Sequence, residues 1–176
     1  MKKTYLLEVE LNKDVCEERI YNTIFQENSK IIFNHIFYKY GNEEKAHDAV
    51  QEAFVKLWEN CAKVPPRKAK SYLYTVANNL YLNVIKAEKV RLKYADKTLK
   101  TTNETPEFLL EESQFKEKLN HALNSLPENQ RSTFLLNRID GMKYAQIAEM
   151  EGVSVKAIEK RMHLALKSLR EKIDGI

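Results

Sequence analysis

Residues that break helices are scarce in this chain, and where they fall decides what it can fold into. Only four Gly and four Pro occur among 176 residues. Gly41, Gly141, Gly152, Gly175, Pro65, Pro66, Pro106 and Pro127 all stand between stretches of periodic apolar residues or at the end. A backbone so seldom offered a kink or a turn settles into helices wherever apolar residues recur every three to four positions. An all-α fold is therefore expected, punctuated at these sites.

The most informative stretch runs from Lys143 to His163 and reads as two helices joined by a tight turn. Gly152 permits the positive φ that a short turn needs, and the Ser154 hydroxyl can cap the helix that follows. Ala145 and Ala148 keep the first helix thin enough for the second to cross it closely. Beyond Ser154 two stripes appear at helical spacing: Ile158, Met162, Ala165 and Leu169 on one side, Lys156, Lys160, His163, Lys167 and Arg170 on the other. One stripe packs, and the other faces something negative. This is the pattern of a helix-turn-helix whose second helix enters the DNA major groove.

Charge is segregated along the chain. Residues 63–100 carry ten Lys and Arg against two acids, whereas residues 1–62 carry eight against eleven. A basic block of this kind suits salt-dependent phosphate contact. Cys16 and Cys61 form no CxxC pair, which argues against a zinc site or a disulfide framework and for reduced thiols. Acids interrupt the apolar run at the start before it reaches signal-peptide length, and no stretch approaches the ~20 apolar residues of a membrane span. A cytoplasmic location without membrane insertion is expected.

Residues 1–15 lack a period and read as a weakly ordered lead. A first helix is expected from about Glu17 to Tyr40, stopped near Gly41. A second runs from about Asn42 to Cys61, with Ala46, Ala49, Val50, Ala53, Phe54, Leu57 and Trp58 as a wide apolar stripe and Asp48, Gln51, Glu52, Val55 and Glu59 opposite. A third spans Ser71 to about Lys93. Its packing stripe is Leu73, Val76, Ala77, Leu80 and Val84, with Ser71, Thr75, Asn78, Asn79 and Lys86 broadly opposite. Tyr72, Tyr74 and Tyr81 offer rings that could stack on splayed bases, although tyrosines at this spacing are more often core. Periodicity fades over Tyr94 to Glu112, a linker able to span roughly 23 Å as a flexible coil and so to let two domains sit apart. Further helices follow over about Ser113 to Ser125 and from Pro127 to Ile139.

Several of these runs resemble known ones. Leu126-Pro-Glu-Asn-Gln-Arg131 with Asp140-Gly141-Met-Lys-Tyr144-Ala-Gln-Ile-Ala-Glu149 resembles the promoter −35-binding domain of bacterial sigma factors. Asp48-Ala-Val-Gln51-Glu52-Ala-Phe54 is similar to the sigma segment that docks on the clamp coiled coil of RNA polymerase. Ser71-Tyr-Leu-Tyr-Thr-Val-Ala-Asn78-Asn79-Leu80 resembles the family's −10-element helix. There it departs from the pattern: Asn78 stands where a basic residue is common, Asn83 where Asp is common, and Ala87 in a stretch often doubly basic. The resemblance, to a group-four or extracytoplasmic-function sigma factor, covers about residues 20–93 and 113–173.

It implies a polymerase-docking and −10 domain over residues 1–93, a flexible linker over 94–112 and a −35 helix-turn-helix domain over 113–176. Polymerase contacts would come from Asp48, Gln51, Glu52 and Phe54. The −10 contacts would come from Lys70, Ser71, Tyr74, Asn78, Asn79 and Lys86, and the −35 contacts from Ser154, Lys156, Ala157, Lys160, Arg161 and His163. Core RNA polymerase, promoter DNA and an anti-sigma factor are the implied partners. No cofactor, metal, small-molecule substrate or catalytic residue is called for.

Two other classes compete. An ordinary helix-turn-helix regulator with a ligand-binding or dimerising N-terminal domain explains the C-terminal part equally well but leaves the basic block and the Asp48 to Trp58 segment without a task. A metal-dependent phosphohydrolase could use the His47-Asp48 pair, yet only His35 and Asp96 are available to complete its ligands, and neither is conveniently placed.

Overall fold

The structure is a computed structural model that describes residues 14–94 and 114–173. The described residues form helices and turns with no strand. Three helices make the N-terminal half: α1 (Glu18–Tyr40), α2 (Glu43–Glu59) and α3 (Pro66–Tyr94), with a single 3-10 turn at Cys61–Lys63. Four make the C-terminal half: α4 (Gln114–Asn124), α5 (Glu128–Arg138), α6 (Tyr144–Glu151) and α7 (Val155–Lys172).

Local chemistry sets the boundaries. The α1 helix ends where Gly41 takes φ 81° and returns its N–H to the Phe37 carbonyl at 2.7 Å. Asn42 then starts α2, its side-chain oxygen accepting the Lys45 N–H at 2.8 Å. The third helix begins five residues before the expected Ser71, because Pro66 suits a first helical turn in which no N–H is needed. This brings Arg67, Lys68 and Lys70 onto its opening turns.

The N-terminal core is built from Ile24, Ile32 and Ile36 of α1, the alanines, Val50, Phe54 and Leu57 of α2, and Ala69, Leu73, Ala77 and Tyr81 of α3. Small residues at Ala46, Ala49, Ala53, Ala69 and Ala77 let the helix axes approach closely. Two members of the expected stripes do not join it: Trp58 is 46% exposed and Val84 lies outward as well. Tyr21 and Phe54 already fill the end of the stripe, with Tyr21 edge-on to both the Phe54 and Trp58 rings.

The expectation for the cysteines is overturned. Cys16 and Cys61 are joined by a disulfide, with Cα atoms 5.0 Å apart. The α1 and α2 helices run as an antiparallel hairpin, so the residue before one returns beside the residue after the other, and no sequence spacing announces that meeting. The last two residues of the expected weakly ordered lead are instead part of the N-terminal half. Val15 is fully buried in the core, and Cys16 donates its N–H to Asp14 Oδ1 at 3.0 Å. Residues 1–13 and most of the expected linker lie outside the described residues.

In the C-terminal half, Leu123, Leu126, Leu135, Leu136, Ile147, Met150, Ile158 and Leu169 form a second core. The predicted turn is present: Gly152 has φ 67°, Val153 N–H reaches the Ala148 carbonyl at 3.0 Å, and Ser154 Oγ accepts the Ala157 N–H at 3.2 Å. Ahead of α6, the Gln146 side chain accepts the Lys143 N–H at 2.9 Å.

The two halves are packed against each other here. The α1 helix contacts α5, and α3 contacts α6. Tyr38 belongs to the C-terminal core, with Ile31, Phe37 and Tyr74 packed against the same cluster. The α1 helix is thus apolar on two sides, one for each half.

Candidate nucleic-acid interface and docking groove

On α2, Asp48, Gln51 and Glu52 are exposed together, as helical geometry requires of residues three to four apart. Beside them lies a groove of about 320 Å³ lined by Phe25, Ser29, Lys30, Phe33, His47, Val50, Gln51 and Phe54. Phe54 is 2% exposed. It is a core residue, as its place in the apolar stripe predicts, and its ring forms part of the groove lining. Phe25, 46% exposed, packs edge-on over Phe54 with ring centres 4.8 Å apart and adds exposed apolar surface beside it. Glu52 lies 3.0 Å from Lys56, and this hydrogen-bonded contact raises the lysine pKa. His47 stacks on Phe33 at 4.1 Å.

The expected −10 residues divide along α3. Asn79 and Lys86 are exposed, and Lys70 and Ser71 half-buried, with Ser71 Oγ donating to the Lys68 carbonyl at 3.2 Å. Tyr74 points toward the C-terminal half, edge-on to His35 at 4.7 Å. Burial there pushes its phenol pKa up. Asn78 Oδ1 accepts from Lys39 Nζ at 3.1 Å and from the Tyr40 hydroxyl at 2.8 Å. With its oxygen engaged, the Asn78 amide nitrogen is the group left to donate. Lys39 also brings a positive charge to the position where the family pattern has a basic side chain and this sequence has Asn78. Only folding could show it, since the two residues are 39 apart in sequence. Tyr81 is buried and stacked flat on Tyr40 at 4.4 Å, so it belongs to the core and not to a base-stacking surface.

On α7, Ser154, Lys156, Lys160 and His163 are exposed and Ala157 is half-buried. Ser154 spends its hydroxyl as a helix cap. Arg161 turns inward to form a charged hydrogen bond with Glu151, whose side chain is 3% exposed. Lys160 is therefore the freer cation of the pair.

That certain residues would join the two halves was not read from sequence. Arg131 donates from Nε to the Tyr38 carbonyl at 2.8 Å and from Nη2 to the Lys39 carbonyl at 2.7 Å. Asn34 donates to Asp140 Oδ1 at 2.8 Å, and Tyr38 also hydrogen-bonds that carboxyl. Burial nonetheless raises the Asp140 pKa. His35 is fully buried, and burial together with the charges of Lys39 and Arg161 lowers its pKa to about 3. Its imidazole is therefore neutral, and its 3.7 Å approach to Glu151 is not an ion pair.

Two family descriptions match the chain: Sigma-70 region 2 over residues 24–91 and Sigma-70, region 4 over residues 116–169. The chain is 26% identical over 159 residues to the RNA polymerase sigma factor YlaC of Bacillus subtilis, covering 88% of this chain and 90% of that protein. It is 25% identical over 135 residues to the ECF RNA polymerase sigma factor SigE of Mycolicibacterium smegmatis, covering 74% of this chain but only 52% of that longer protein. The fold is also that of the Bartonella quintana sigma factor RpoE, solved in complex with the anti-sigma factor NepR. The TM-score is 0.59 at 18% identity, over 88% of this chain and 98% of that one. Both sigma-70 regions are present in order, each on the helices built for it, and the chain belongs to the sigma-70 family, in its extracytoplasmic-function group.

Proposed function

We propose that the protein binds core RNA polymerase and directs it to promoters by recognising −10 and −35 elements. One observation carries this reading: two surfaces of opposite character are exposed on one chain. The ridge of Asp48, Gln51 and Glu52 beside an apolar groove suits a basic partner surface, and the row of Lys156, Lys160 and His163 suits the DNA backbone and base edges. On α3, Asn79, Lys86 and the open side of Asn78, with Lys39 beside it, would hold the −10 strand. The chain supplies contacts and no covalent chemistry. Its place is with the polymerase in the cytoplasm, and no helix among the described residues is long and apolar enough to cross a membrane. An anti-sigma factor, such as accompanies the Bartonella relative, is the partner expected to restrain it.

The test replaces Gln51 and Glu52 together by Lys. Both lie off the core, so the helices should stay intact while capture of core polymerase falls sharply. Undiminished capture would remove the docking assignment. On the DNA side, Lys160→Ala should narrow the preference for a true −35 duplex over a scrambled one by about 1–3 kcal/mol. Lys167→Ala should weaken both about equally and flatten the salt dependence.

A further inference from the structure

The two cysteines take no part in the proposed function, yet they are bonded to each other. A chain that works beside RNA polymerase sits in a reducing compartment, where disulfides are rare and those that form are usually transient and redox-sensing. Resting on that reading, we propose that Cys16–Cys61 is a thiol–disulfide exchange site. Its two states differ in how firmly the turn leading into α3 presents its cations to single-stranded DNA.

The bond closes the open end of the α1–α2 hairpin, opposite the Gly41 turn, so that breaking it frees two segments at once. Both cysteines are half-buried and not sealed in the core, which leaves an approach for a small thiolate.

On the α1 side the segment has few other ties. Glu17, the residue before the helix, makes no side-chain cap. Among the described residues Asp14 bonds only the N–H groups of Cys16 and Glu17, within its own turn. Val15 is what anchors the segment in the core besides the disulfide.

On the α2 side, Cys61 opens the short 3-10 turn to Lys63, which is followed by buried Val64 and by Pro66, the start of α3. The hydrogen bond closing that turn, from Val64 N–H to the Cys61 carbonyl, is long at 3.4 Å. Lys63, Arg67 and Lys68 are all exposed along this stretch, with no acid between them in sequence. The disulfide is thus the covalent tie that fixes the approach to the basic start of α3.

Glutathione and its disulfide are the co-reactants. In reduction a glutathione thiolate attacks one sulfur and releases the other as a thiolate, and a second glutathione resolves the mixed disulfide. The products are two cysteine thiols and one glutathione disulfide, and oxidation is the reverse. A bonded turn meets DNA already ordered, whereas a reduced one must be ordered on binding. Fixing one backbone residue at that moment weakens affinity roughly tenfold.

The test equilibrates the full chain in mixtures of reduced and oxidised glutathione, traps thiols by alkylation and counts them by mass. The count should pass reversibly from none to two as the mixture becomes more reducing. A pair that stays bonded in reduced glutathione alone, or never bonds in the oxidised form, would overturn the exchange site. A random-sequence single-stranded oligonucleotide should bind the oxidised chain roughly tenfold more tightly than the reduced one. Cys16→Ser should bind as the reduced chain does in either buffer. Equal affinity of the two wild-type forms would overturn the coupling to α3, and that comparison stands even if Cys16→Ser loses helix. Capture of core polymerase is measured on both forms: its absence from both would defeat the proposed function, while the thiol count still decides the exchange site.

Discussion

The two faces of α1 do different work with the same helix. Toward α2 and α3 it presents Ile24, Ile32 and Ile36, all buried in an apolar core. Toward the C-terminal half it joins apolar and polar contacts: Ile31 and Tyr38 pack with that half's core, while Asn34 hydrogen-bonds Asp140 and His35 lies against Glu151. Apolar burial is non-directional and lost only by unfolding, whereas a contact made of hydrogen bonds can be exchanged for water at little net cost. The first face builds one half, and the second carries the contact to the other half through both kinds of interaction.

The most severe way to break this contrast is at the apolar face. Ile36→Ala, at a fully buried position, should cost about 2–5 kcal/mol of global stability, seen as a lower denaturation midpoint for the N-terminal half. Reducing the Cys16–Cys61 disulfide, which closes a separation of 45 residues, should cost a further ~2–4 kcal/mol on the same transition. It should leave the C-terminal half unaffected. A shared shift of both halves would show that the two cores are not separable.

At the polar face, Arg131→Ala should remove about 1.5–3 kcal/mol from the association between halves while moving the N-terminal midpoint little. Differential hydrogen exchange at the end of α1 and in α6 would detect it.

The smallest effect is of pH. With the two halves packed, burial among Glu151, Tyr74, Lys39 and Arg161 holds the His35 pKa down at about 3, and exposed to water it should return to its ordinary value near 6.5. Parting the halves therefore favours the protonated ring. The contact between halves is fully present above about pH 6.5 and is weakened as pH falls, by about 1.4 kcal/mol per unit until the lowered pKa is reached. Scattering at pH 7.5 and 5.5 should show expansion at the lower value. His35→Asn, which does not titrate, should remove the dependence.

Much of this was legible from residue order. Gly41, Gly152 and Ser154 act through their own φ and their own hydrogen bonds, so turn, cap and helix-turn-helix follow from local sequence. The exposure of Asp48, Gln51 and Glu52 follows from the 3.6-residue period. Periodicity was less able to separate residues at the rim of a stripe from those at its centre, which is why Trp58 and Val84 were assigned to packing along with Phe54, although only Phe54 is buried.

The sequence by itself determined the helices, their faces and the two family regions, because these depend on interactions within a few residues of each other. The tertiary structure alone decided which distant groups meet: Cys16 with Cys61, Lys39 with Asn78, Arg131 with the end of α1, and Glu151 with Arg161 and His35. Those pairs depend on how whole helices are laid against one another. A side chain's period fixes the direction in which it points from its helix, and only packing fixes what stands opposite.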